Sequence, residues 1–174
     1  MTSTRSAVAL VQRLAATQIG TTFNQYRDER LAERLTVYLT ARADAPVLLV
    51  GEAAGYRGAR VSGIAFTSER QLTGYGPGEA TATIVHRVLA ELALEEVVVL
   101  WNVVPTHPGT ATSNRPPTRA EITAALPFTR ELARGRRVIA IGRIAERALD
   151  APYVRHPSHG GAAAFRETLA ACLA

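Results

Sequence analysis

Apolar residues fall into two patterns along this chain. Short continuous runs bounded by Gly, Pro or Asn occur at Pro46–Gly51, Val97–Asn102 and Arg137–Gly142, with a weaker one at Pro152–Arg155. Runs of this length without polar alternation fit strands buried on both faces, as in a parallel sheet. Between them, apolar positions recur at helical spacing over roughly 4–18, 25–41, 79–93, 119–134, 143–149 and 160–173. Thr118 and Glu121 form a capping-box pair directly after Pro116-Pro117, which marks one helix start sharply. Strands alternating with helices predict an α/β fold, a three-layer α/β/α sandwich around a central, mostly parallel four-stranded sheet. The expected organisation is a single unit over 1–174, with N-terminal helices in 1–45 and the core in 46–170. In such folds ligands sit beyond the carboxyl ends of the strands. That directs attention to 51–69, 101–118 and 156–161.

Composition narrows the class. The 174 residues are 47% hydrophobic and 20% charged, an ordinary globular balance. No apolar run approaches the ~18 residues of a membrane span. The first residues lack a signal-peptide core and carry Arg, Ser and Thr with no acid before Asp28. An ordinary N-terminal helix is the simpler reading of them than a transit peptide. A single cysteine, Cys172, excludes an internal disulfide, a Cys-rich zinc site and a four-cysteine iron–sulfur cluster. The expected location is cytoplasmic, with the nucleoid.

Charge adds a partner class. Twenty basic residues against 15 acidic ones give +5, and every basic residue is Arg. Codon usage of a GC-rich genome is the simplest account of the choice of Arg over Lys. Guanidinium groups nonetheless grip phosphate bidentately and stack on bases, and the sequence pI near 10.1 suits a polyanion such as DNA.

The three segments at the strand ends carry motifs. The first reads Gly51-Glu-Ala-Ala-Gly55-Tyr-Arg-Gly58, followed by Gly63-Ile-Ala-Phe66-Thr-Ser-Glu69. The second reads Trp101-Asn102-Val-Val-Pro105, with Asn114-Arg115-Pro116 downstream, and the third Arg155-His156-Pro157-Ser158. Together and in this order they resemble the uracil-DNA glycosylase superfamily, most closely its families 4 and 5. The resemblance spans about residues 46–170. It implies a monofunctional DNA glycosylase of base-excision repair that flips uracil out of DNA and hydrolyses its N-glycosidic bond. No cofactor or metal is expected, the partner is uracil-containing DNA, and the enzyme is expected to be a monomer without membrane contact.

Two departures stand out. Families 4 and 5 hold an iron–sulfur cluster on four cysteines, which this chain does not have. Family 1 enzymes carry an Asp at the third position of the first motif and a thymine-blocking Tyr at the fifth, where this chain has Ala53 and Gly55. The missing Asp keeps a second reading open, a protein of the same fold that binds uracil or abasic DNA without turnover. A small-molecule hydrolase of the Gly-x-Ser-x-Gly type finds no support, because that elbow is absent.

Removing a base needs a pocket that stacks it, reads its edge, stabilises the leaving anion and the cationic sugar, and positions a water. Phe66 is the stacking candidate, and Asn102 offers an acceptor and a donor to uracil N3–H and O4. His156 would donate to O2 as charge builds there. Glu52 and Glu69 compete for the water-activating, cation-stabilising role. Ala53, Gly55 and Tyr56 are expected to line the base pocket, its wall open at Gly55 unless Tyr56 swings in, and an open wall predicts activity on other deaminated bases such as hypoxanthine or xanthine beside uracil. Arg57, Asn114, Arg115, Ser158 and His159 are expected to contact DNA, with His159 a candidate wedge. His86 reads as helix surface, and His107 as a further residue of the DNA groove.

Overall fold

A computed structural model describes residues 2–174. Four strands form one sheet in the order β2-β1-β3-β4: β1 (Val47–Ala53), β2 (Val98–Val104), β3 (Arg137–Ile141) and β4 (Tyr153–Val154). Every pairing is parallel. This is the α/β architecture the sequence predicts.

Alternate strand residues feed two separate cores. Leu48, Val50, Val99, Trp101 and Ala140 face α1 (Thr2–Ala16), α2 (Glu29–Ala41), α6 (Arg119–Ala133) and α7 (Arg143–Leu149). Leu49, Val98, Leu100, Ile139 and Ile141 face α5 (Ala80–Glu91) and α8 (Ala162–Leu173). With both faces covered, the strand interiors are apolar, which is why the runs are continuous, and polar residues appear only toward the strand ends, at Glu52, Asn102 and Arg137. Trp101 is anchored within its layer by Nε1 donating to Thr129 Oγ1 at 3.1 Å.

Two details differ from the sequence expectation. The predicted helix over 25–41 breaks at Asp28. A short 3₁₀ turn spans Gln25–Arg27, and Asp28 then caps α2 by accepting from Arg30 N at 2.9 Å. The segment 51–69 with its continuation holds two one-turn helices, α3 (Ala59–Ser62) and α4 (Glu69–Thr73), too short to leave a periodic trace.

The strand order puts the site in position. From β1 the chain crosses to β2 on one side, and β3 and β4 continue on the other; a crevice opens beyond the carboxyl ends of β1 and β2 and is flanked by the segment that follows β4. The N-terminal region braces its rim. Phe23 pairs with His107 in an antiparallel bridge, and Gln25 Nε2 donates to Pro105 O at 2.8 Å.

Candidate active site

A cavity of about 280 Å³ occupies that crevice. Its floor is built where β1 ends. Gly51 lies in register with Asn102 on β2, and the Phe66 ring and the Asn102 carboxamide converge over it. Asn102 is buried, and no side chain of the described residues engages its amide, which faces the cavity. Phe66 takes a left-handed backbone (φ 51°), unusual for a residue with a side chain. Such conformations cost about 1–3 kcal/mol and persist where the surroundings enforce them.

His86 supplies part of that enforcement. His86 Nε2 lies 2.9 Å from Thr67 Oγ1, which in turn lies 3.1 Å from Ala65 O. The expectation of a surface histidine is corrected. His86 is half-buried, and burial lowers its pKa.

His156 follows β4 and reaches the cavity together with Ser158 and His159. Its Nδ1 accepts from Ser158 N at 3.2 Å and lies 2.8 Å from Ser158 Oγ. A neutral ring bonded in this way carries its proton on Nε2. Burial, followed by the charges of Arg155 and His159, pushes its pKa down, so the neutral form holds at pH 7.

The two carboxylate candidates separate. Glu52 lines the cavity, no cation among the described residues pairs with it, and burial raises its pKa. Glu69 is not among the lining residues. Arg34 on α2 holds it through two hydrogen bonds of 2.7 and 3.1 Å, Arg30 stands 3.9 Å away, and its pKa is lowered, mainly by the Arg34 hydrogen bond. Glu69 thus ties α4 to α2. The geometry leaves no role for it at the cavity.

The rim sorts similarly. Ala53 and Gly55 line the cavity, and Asn114 does so while its Oδ1 accepts from Tyr56 N at 2.9 Å. Tyr56 does not swing into the cavity; the Arg57 guanidinium lies 5.3 Å from its ring centroid. Arg57 is exposed and lines a neighbouring groove with Arg70. Arg115 touches the cavity, but its guanidinium is occupied. It donates twice to buried Glu121, at 2.7 and 2.9 Å, and once to Thr21 Oγ1 at 3.1 Å. Arg115 is therefore a bracing residue rather than a free phosphate contact.

His107 is also corrected. It is fully buried, with Nδ1 2.7 Å from Ala54 O and Nε2 2.7 Å from Thr110 O. It clips the first loop to the second and faces no groove.

Sequence reasoning missed Glu79 and Thr81, both on the cavity wall. A signal existed for the first: Gly-Pro-Gly before a helix leaves Glu79 at the N-cap, where Ser, Thr, Asp or Asn are the usual choices. Among the described residues no group of three or more His, Cys, Asp or Glu is placed to hold a metal. No described helix is long and apolar enough to cross a membrane.

Comparison with known proteins bears on the whole chain. The model of the uracil DNA glycosylase superfamily matches residues 38–170. No curated protein matches in sequence. Among solved structures, wild-type SMUG2 of Pedobacter heparinus superposes with a TM-score of 0.67 at 11% identity, covering 96% of this chain and 95% of that one. Wild-type UNG of Nitratifractor salsuginis gives 0.49 at 16%, covering 97% and 94%. At 11% identity, the likeness to the first of these is one of fold.

Proposed function

Because the chain belongs to the uracil DNA glycosylase superfamily, we propose that it is a monofunctional DNA glycosylase that hydrolyses the N-glycosidic bond of an extruded uracil nucleotide. One observation carries the reading. A single cavity is lined by an aromatic ring, an unengaged amide, a neutral histidine with its proton on Nε2 and an unpaired carboxylate.

Each group has a role in this chemistry. Phe66 stacks the base, which is worth ~1–3 kcal/mol. The Asn102 amide accepts from uracil N3–H and donates to O4. The bond from C1′ to N1 breaks with its electron pair moving into the base, and negative charge gathers on O2. His156 Nε2–H donates there, a preorganised donor that needs no reorganisation at the moment of reaction. Glu52 faces the oxocarbenium-like sugar and orients a water, taking its proton as the oxygen bonds C1′. Glu52 thereby supplies the carboxylate that Ala53 does not, which favours turnover over binding alone. The net +5 charge and exposed Arg57 suit the phosphate backbone.

Single-turnover cleavage of a labelled uracil oligonucleotide tests the proposal. Release of uracil with an abasic product supports it. Tight binding of the same oligonucleotide with no release points to the non-catalytic reading.

A further inference from the structure

Glu79 stands at the N-cap of α5 yet caps nothing with its side chain. The side chain crosses to the first loop instead. A Cβ on Gly55 would lie 2.7 Å from its Oε1, and one on Gly58 would collide with Oε2. Two glycines thus leave a space and one carboxyl group fills it. The cavity wall beside Gly55 is made by a side chain from another element.

No donor or cation among the described residues meets these oxygens, and burial is the one cause that raises the pKa of the group. Arg57 and Arg70 line the groove on the outer side, where Arg70 Nε donates to Gly76 O at 3.1 Å. Arg115 is held by Glu121. A half-buried carboxyl without a partner is costly to keep, and it borders both the cavity and the groove.

Resting on the glycosylase reading above, we propose that Glu79 is a specificity-determining residue, its carboxyl forming the wall that decides which pyrimidines enter. With Asn102 on the N3–O4 edge of the base, the next ring position is C5. Beside uracil the wall has room for a water shared with the carboxyl. A 5-methyl group takes that room, strips the water and returns no hydrogen bond. The expectation of an open wall at Gly55 is replaced by a polar wall contributed from α5.

The test compares release of uracil and of thymine from otherwise identical oligonucleotides by wild type, E79A, E79D and E79Q. Selectivity for uracil over thymine should fall about tenfold or more in E79A, within the range a single methyl group commands. E79D should lose part of it, and E79Q, which keeps the shape and the hydrogen bonding, should retain it. Unchanged selectivity in both E79A and E79D overturns the proposal, as does equal loss in E79Q and E79A. Titration of the four proteins with free uracil and free thymine, followed by NMR, reads the same ratio without turnover. A wild type that prefers uracil in the titration, with the preference lost in E79A, upholds the wall even if no base is released. That result would defeat only the enzymatic reading.

Discussion

The Phe66 ring stands where a Cβ on Gly51 would have to go, and the same Cβ would lie 2.9 Å from Asn102 Oδ1. Gly51 is therefore small so that the Phe66 ring and the Asn102 amide, the proposed stacking and reading groups, can meet at the end of β1. Gly51→Ala should push the ring off the base position. It should cost about 1–3 kcal/mol of stability through overpacking. Uracil release should fall by a factor similar to that of Phe66→Ala, roughly 5- to 150-fold for stacking worth ~1–3 kcal/mol. Thermal unfolding and single-turnover kinetics of both variants check this. A Gly51→Ala protein of unchanged activity would show that Phe66 does not stack the base.

His156→Ala should slow the chemical step by roughly 10²- to 10³-fold, the cost of losing a preorganised donor to a developing anion. DNA affinity, measured by fluorescence anisotropy with an uncleavable substrate, should change little. Ser158→Ala should have a smaller effect in the same direction, since Nδ1 keeps the Ser158 backbone N–H but loses the hydroxyl. If His156→Ala loses binding with chemistry intact, the donor role is wrong.

Glu52→Gln and Glu69→Gln should shift stability at pH 7 in opposite directions, and only the first should slow the chemistry. Glu52→Gln should lower the chemical step ~10²-fold or more, the low end of general acid–base effects. It should also raise the melting temperature at pH 7. The folded protein holds the Glu52 pKa above its usual 4.5, so its ionised form costs stability once the pH exceeds that value. The gain should vanish on acidification below the ordinary carboxylate range. Glu69→Gln should leave the chemical step nearly intact and weaken the fold at pH 7. Its pKa is lowered by Arg34, so its contribution is present above 4.5 and lost as the pH falls through the lowered value. Melting temperatures of both variants between pH 3 and 8 distinguish these signs.

How far the sequence could be read follows from the range of each interaction. Strands buried on both faces announce themselves in consecutive residues, so Val47–Val50 and Val98–Asn102 are legible, while the continuation of β2 to Val104 is not. The Thr118–Glu121 cap is legible too, a local device confirmed by Glu121 N donating to Thr118 Oγ1 at 3.2 Å. The cavity also gathers Phe66, Asn102 and His156, because each motif sits at a strand end. What stayed hidden depends on partners distant in sequence. Glu69 and Glu52 are equivalent candidates in sequence, and only the fold brings Arg34, 35 residues away, onto Glu69. Glu79 belonged to no motif, and only the fold carries it over Gly55. The burial of His107 and His86 is hidden from the sequence for the same reason, since burial of a lone histidine is set by what packs on it.

Arg57 and Arg115 look alike in sequence as phosphate contacts, yet the structure gives them different work. Arg115 is paired with Glu121, whose side chain is 2% exposed, while Arg57 is exposed on the groove next to the cavity. Removing Arg115 leaves a buried carboxylate without its cation, and such losses cost about 3–5 kcal/mol. The partial exposure of Arg115 puts the expected loss near 3 kcal/mol. The pair holds the Glu121 pKa down to about 2, chiefly through the Arg115 hydrogen bond. Its stabilisation should therefore persist at neutral pH and disappear as the pH falls from about 4.5 toward 2. Arg57→Ala should scarcely affect stability and should reduce the slope of log affinity against log salt by about one. Arg115→Ala should melt well below wild type and, at a temperature where it is folded, bind DNA with an unchanged salt slope. Anisotropy titrations across a salt series, paired with thermal melts, separate the two. Equal slopes for Arg57→Ala and wild type would remove Arg57 from the DNA interface, and a reduced slope for Arg115→Ala would mean that its guanidinium leaves Glu121 when DNA arrives.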